Sequence, residues 1–203
     1  VIEPNVKLEC VPKFCYLGDT LGAGGGVEEA ARARVRCAWA KFKELSPILT
    51  ARGASYRIKG KIYKACVQSV LTYGTETWAM KKANLQSLER TERMMVRWMC
   101  GVSLKDRKRS VDLYSLLRVQ SVAEVVRRGR LRWFGHVERK SGDDWVSACR
   151  NVVVAGVRCA GRGRKTWREC VRDDMEELGL HPEWVVFRDM WRDLISGKTS
   201  DPS

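Results

Sequence analysis

Apolar positions recur every three or four residues along most of this chain, and alternate with polar ones only near its start. Val6, Leu8 and Cys10, then Phe14 and Tyr16, alternate on either side of Val11-Pro12, which predicts two short strands. Gly18 to Gly26 reads as a flexible turn, and Glu28-Glu29 after it suit the first turn of a helix. This turn lacks the Lys of a phosphate-binding loop, and Val27 stands where a dinucleotide fingerprint needs its last glycine. From there the period is helical. Val35, Ala38, Trp39, Phe42 and Leu45 mark a helix over 27–49, and Ile58, Ile62, Ala65, Ser69 and Tyr73 mark a second over 56–80. A third, capped by Asn84, carries Leu85, Leu88, Met95 and Met99 and stops at Gly101. Ser121-Val122-Ala123-Glu124 has the capping-box pattern and opens a fourth, with Val122, Val125, Val126, Trp133 and Val137 facing inward. Two more follow over 165–178 and 182–195. The expected fold is mainly α, a helical bundle with a small N-terminal β element, divided as 1–26, 27–140 and 141–203.

Composition narrows the class. With 203 residues, 44% hydrophobic and 31% charged, the chain is long enough to bury a core and too apolar for a disordered tail. No stretch reaches the roughly 18 uninterrupted apolar residues of a membrane span, and no membrane partner is expected. The net charge of +14 favours polyanions. It is concentrated in the middle, because residues 81–140 hold 16 basic and 6 acidic side chains whereas 141–203 hold 10 and 11. The eight cysteines include no C-x-x-C pair and read as small core thiols in a reducing compartment, nuclear or cytoplasmic, with no metal site. The chain opens at Val1 rather than Met, which reads as a fragment or processed piece.

Three basic clusters are candidates for phosphate contact. The first is Arg127, Arg128, Arg130 and Arg132, where like charges four apart repel unless an anion intervenes. The second is Lys105, Arg107, Lys108 and Arg109, in a link between helices. The third is Arg162, Arg164 and Lys165, with Arg158, among glycines that let the main chain approach a phosphate. No base-reading motif accompanies them, so backbone contact without sequence preference is the expected mode. No catalytic constellation stands out: Asp143-Asp144 reads as a helix cap, Asp173, Asp174, Glu176 and Glu177 as solvent-facing charges, and His136 as a hydrogen-bonded structural histidine.

Several motifs stand together in one order. They are Phe14-Cys15-Tyr16-Leu17-Gly18, Tyr73-Gly74-Thr75-Glu76-Thr77-Trp78, Leu88 to Met99, Gly101 to Arg107, Leu131 to Val137, and Gly161 to Trp167. In this order and spacing, over about residues 6–180, the chain resembles the C-terminal part of reverse transcriptases of non-LTR (LINE-type) retrotransposons, the part that follows the catalytic palm. The resemblance implies a fragment of an RNA-directed DNA polymerase. Phe14, Tyr16, Leu17 and Gly18 would form a hairpin that closes the palm and supports the primer, and the helices beyond would form a thumb on the template-primer duplex. It also implies RNA/DNA duplex or RNA as partner, together with palm and fingers domains. The Asp-Asp turn of such polymerases is absent here, so the fragment alone is expected to be inactive and to carry no cofactor, the Mg2+ belonging to the parent enzyme. Gly163 stands where relatives usually have Pro. The alternatives are a non-catalytic helical protein-interaction module and a decayed retroelement relic.

Overall fold

The computed structural model describes residues 9–23, 26–140, 142, 144–151, 163 and 165–197, and the side chains of 147, 150 and 151 are not part of that description. The chain is mainly α with one small N-terminal hairpin, as its periodicity predicts. Strand β1 (Lys13–Tyr16) pairs antiparallel with β2 (Asp19–Gly22), Lys13 opposite Gly22 and Tyr16 opposite Asp19. Leu17 and Gly18 both have positive φ (48° and 79°), as the commonest two-residue hairpin turn requires. The partner of β1 therefore lies in the segment expected to be a turn; the pairing expected across Val11-Pro12 falls mostly outside the described residues.

Helix α1 (Glu28–Glu44) begins with Glu28 and Glu29 and has Lys41 and Lys43 in its last turn, charges that complement the helix dipole at both ends. It stops short of the expected Leu49, because Pro47 lacks an amide hydrogen and starts a separate turn, α2 (Ser46–Leu49). After α3 (Tyr56–Ile62), capped by Ser55, the chain widens into a π-helical segment, Tyr63–Gln68, and closes with α4 (Ser69–Leu71). The expected continuation to Met80 fails at Gly74, whose φ of 77° is left-handed. Trp78 and Met80 are nevertheless buried. Helix α5 (Lys82–Cys100) starts two residues before Asn84, which is buried in the first turn, has no hydrogen-bond partner for its Nδ2 among the described residues and is not the cap. It ends at Gly101 as expected. Helix α6 (Ser110–Leu117) is a short addition, and α7 (Val122–Glu138) is capped by the Ser121 hydroxyl, which accepts from the Glu124 amide at 3.3 Å. Helix α8 (Trp145–Asn151) follows, then α9 (Trp167–Leu178) behind a Thr166–Glu169 capping box, and α10 (Arg188–Ile195).

Two cores form. The larger gathers Phe42, Leu49, Val67, Leu71, Leu88 and Met95 among others; the smaller holds Leu131, Val171, Met175, Val185, Trp191 and Ile195. Helix α7 belongs to both, since Val122 and Val126 enter the first and Leu131 the second. The expected boundary at residue 140 thus does not separate the cores. Two glycines set how close helices come. A Cβ on Gly60 would overlap the Leu117 carbonyl oxygen at the end of α6, and one on Gly135 would sit 2.6 Å from Trp191 Nε1. The Trp191 indole instead donates to Leu131 O at 3.0 Å, which locks α10 onto α7.

At the middle of the larger core lies Glu92, with no solvent exposure. Its Oε1 accepts from Tyr63 Oη (3.3 Å) and Gln68 Nε2 (2.9 Å), and its Oε2 from Tyr114 Oη (3.1 Å) and the Val122 amide (2.6 Å). Gln68 Nε2 also donates to Gln120 O at 2.7 Å. Burial raises the Glu92 carboxyl above its ordinary 4.5 despite four donors that favour the anion. The cysteines are less interior than their pattern implies: Cys10, Cys15, Cys37 and Cys149 are exposed and only Cys170 is buried among the described thiols.

Because the folded state favours the neutral Glu92 carboxyl, its contribution is full below about pH 4.5 and is lost as pH rises through the raised folded value. Glu92→Gln, which loses one acceptor and cannot ionise, should cost about 1–3 kcal/mol at pH 4.5, a deficit that narrows towards pH 8 in urea titrations; a deficit that widens with pH would contradict this account. Gly60→Ala should cost about 2 kcal/mol or more, the overlap outweighing the roughly 1 kcal/mol that Ala gains in helix propensity.

Candidate nucleic-acid interface

The hairpin motif, the Leu131–Val137 motif on α7 and Trp167 meet at the segment 73–80. Tyr73 Oη donates to Leu17 O at 2.9 Å and Trp78 Nε1 to Asp19 Oδ2 at 2.9 Å, which pins the hairpin turn. The Arg34 guanidinium lies 4.6 Å from the Tyr73 ring centroid and donates to Gly18 O. From the other side Trp167 Nε1 donates to Glu76 O at 2.8 Å, and the Cys170 thiol approaches Met80 O at 3.6 Å. Helix α7 packs along the Thr75–Thr77 turn. Residues far apart in sequence thus meet around one short stretch.

Helix α7 sorts its arginines by face. Arg127 and Arg130, three apart, point at α9: Arg130 is buried and pairs with Asp174 at 2.9 Å, and Arg127 pairs with Glu177. Lys165 pairs with Asp173 at 2.7 Å. These three candidate phosphate contacts each face a carboxylate of α9; Asp173 and Glu177 are solvent-exposed as expected, whereas Asp174 is half-buried. Arg130 is the most enclosed of the three, only 5% exposed. Burial lifts the Asp174 carboxyl to about 6 against the pull of Arg130. Leu131 and Gly135 face α10. Arg128 is half-buried and Arg132 exposed, and neither has an ion-pair partner among the described residues.

The second cluster stays open. Ser103 caps the turn Leu104–Asp106, and Arg97 donates to Ser103 O (3.1 Å) and Lys108 O (2.9 Å), so the loop is fastened to the end of α5. Lys105, Arg107 and Lys108 project from it, exposed and unpaired among the described residues, while Arg109 pairs with Asp112 at 3.0 Å. Arg162 and Arg164 lie outside the described residues. The loop and the segment 73–80 sit at opposite ends of α5, whose 19 residues span about 28 Å.

A cleft of about 390 Å³ opens beside segment 73–80, lined by Arg132, Arg139, Arg188, Arg192, Trp133 and His136, with Glu76 as its carboxylate. Trp133 is 37% exposed rather than turned inward, and His136 is exposed and stacks on it, centroids 5.3 Å apart, rather than serving as an interior hydrogen-bonded residue. Arg188 and Arg192 repeat the i, i+4 spacing of Arg128 and Arg132, a signal visible in the sequence, but nothing there shows that α10 folds back onto α7. Asp144 accepts from the Val146 amide at 3.0 Å at the start of α8 and pairs with Lys140, the capping role expected of it. Among the described residues no group of three or more His, Cys, Asp or Glu could hold a metal ion, and no helix is long and apolar enough to cross a membrane.

Over 176 residues the chain is 28% identical to a transposon-derived uncharacterized protein of Caenorhabditis elegans. That likeness fits a transposable-element origin. The match covers 84% of this chain and 63% of the relative, so the chain spans less than two thirds of its relative's length. No protein-family model and no solved structure matches.

Arg130→Met strands the Asp174 carboxylate in a nearly dry site and should cost about 3 kcal/mol at pH 7.5, less at pH 5, where Asp174 takes up a proton. Arg130→Met with Asp174→Leu should recover most of the loss in thermal and urea unfolding; a double variant as unstable as the single one would refute the pairing.

Proposed function

We propose that this chain is the thumb and C-terminal extension of a non-LTR retrotransposon reverse transcriptase. It holds an RNA/DNA template-primer duplex through backbone phosphates and leaves polymerisation to carboxylates, and their Mg2+, on palm and fingers domains. The observation that carries this reading is the 103–109 loop, a fastened scaffold from which Lys105, Arg107 and Lys108 project with no ion pair among the described residues, in a chain of net charge +14. Unpaired cations held at fixed positions match a regular phosphate ladder without reading bases. Arg128 adds a fourth. The likeness to a transposon-derived protein and the order of the motifs support a retroelement source.

The hairpin fits the same proposal. Phe14, Tyr16 and Leu21 share one outer face, Phe14 and Tyr16 with ring centroids 6.4 Å apart and Leu21 directly opposite Phe14, and all three are more than half exposed. Such a face suits packing onto a polymerase palm, with Leu17 and Gly18 at its tip. The same face also favours the alternative of a protein-interaction module.

Fluorescence anisotropy with a labelled blunt RNA/DNA hybrid tests the reading. If Lys105, Arg107, Lys108 and Arg128 each neutralise one phosphate, the slope of log affinity against log salt should be about −3 to −3.5. Lys105→Glu with Lys108→Glu should weaken binding and flatten that slope by about 2 without changing the helical circular dichroism. Binding that ignores salt, or no binding, would exclude the phosphate-contact role.

A further inference from the structure

Trp133 is the common wall of two clefts. On one side is the arginine-lined cleft of about 390 Å³; on the other is a cleft of about 450 Å³ that Trp133 shares with Trp145 and Trp167, together with Val137 and Cys149. Trp145 is 85% exposed, although an indole gains most from burial. A guanidinium-lined groove beside exposed indoles is what single-stranded nucleic acid requires: cations follow the phosphates while bases lie on aromatic faces. We infer that these paired clefts bind unpaired nucleotides, a single-stranded tail running off the duplex.

The dimensions favour a strand over a double helix. Each cleft has the volume of a small-molecule pocket, room for about one nucleotide and far too little for a duplex. The charges also set an orientation. Arg132 and Arg188 are exposed and without carboxylate partners among the described residues, so a phosphate seats there; Arg192 is already engaged by Asp189 at 3.3 Å and Arg139 donates to Val185 O at 2.8 Å. Glu76 repels a phosphate but accepts from an exocyclic amine, which directs the base edge away from the arginines. The backbone at Glu76 is fixed, because its carbonyl takes the Trp167 indole hydrogen. One indole thus holds the position of the carboxylate while another, Trp133, offers the stacking face.

This inference rests on the nucleic-acid reading of the chain but uses other residues, so the two can fail separately. The 203-residue chain is titrated against a blunt hybrid duplex and against the same duplex carrying about six unpaired deoxycytidines, whose N4 amine Glu76 can accept from. Wild type should prefer the tailed duplex by roughly tenfold. Trp145→Ala and Arg188→Ala, both at exposed positions, should each remove most of that preference while leaving blunt affinity unchanged, and Trp133→Ala should do the same if its circular dichroism is native. A tail preference that survives all three changes, or a wild type that binds blunt and tailed duplex equally, overturns the inference and leaves the duplex proposal intact. Tail binding without blunt binding upholds it and overturns the duplex proposal. Binding to neither overturns both.

Discussion

Glu92 has no contact with solvent, and its four donors come from three separate pieces of chain: Tyr63 and Gln68 from the π-helical segment, Tyr114 from α6, and the first amide of α7. A carboxylate in that position is tolerable only when all of them arrive, since each missing donor leaves part of a desolvated charge uncompensated. The large core could be filled by many apolar combinations, but this set of hydrogen bonds admits one arrangement of α5, α6 and α7. It also fixes where α7 begins, hence which of its faces points at α9, which at α10 and which at solvent.

The functional surface follows from that placement. Once α7 is fixed, Arg127 and Arg130 meet the acidic side of α9, Gly135 lets Trp191 lie against the helix, and Arg132 and Trp133 are left facing outward beside Glu76. The segment 73–80 plays the complementary part. It has little regular structure, yet its side chains and carbonyls join the hairpin, α7 and α9. The clefts therefore sit at a junction of elements drawn from both cores.

The long helices were legible because their apolar stripes run for three turns or more, and Gly101 and Ser121 marked two ends correctly. Boundaries failed where one residue outweighed the period: Pro47 split the first helix, and Gly74 ended the second before Trp78 and Met80, which remained apolar and buried without being helical. Helix α6 is not legible in the sequence because Leu113 and Leu117 are only two buried positions behind a basic run. The basic clusters were visible as charge, but their roles were not. Whether an arginine meets a phosphate or a carboxylate depends on what folds opposite it, and Asp174 and Glu177 lie more than forty residues beyond Arg130 and Arg127. The arginine cleft was hidden for the same reason, since Arg132 and Arg188 come together only when α10 turns back.

The winding of residues 63–68 has a consequence for how this chain can vary. Tyr63 and Gln68 are five positions apart and both reach the same oxygen of Glu92. On an ordinary α-helix, positions five apart diverge by about 140°, whereas the wider i→i+5 winding brings them to one side. The number of residues between them is therefore as constrained as their identity. Relatives that shorten this stretch by one position would rotate everything after it by about 100°, and would need a different way to neutralise the interior acid or would have dispensed with it.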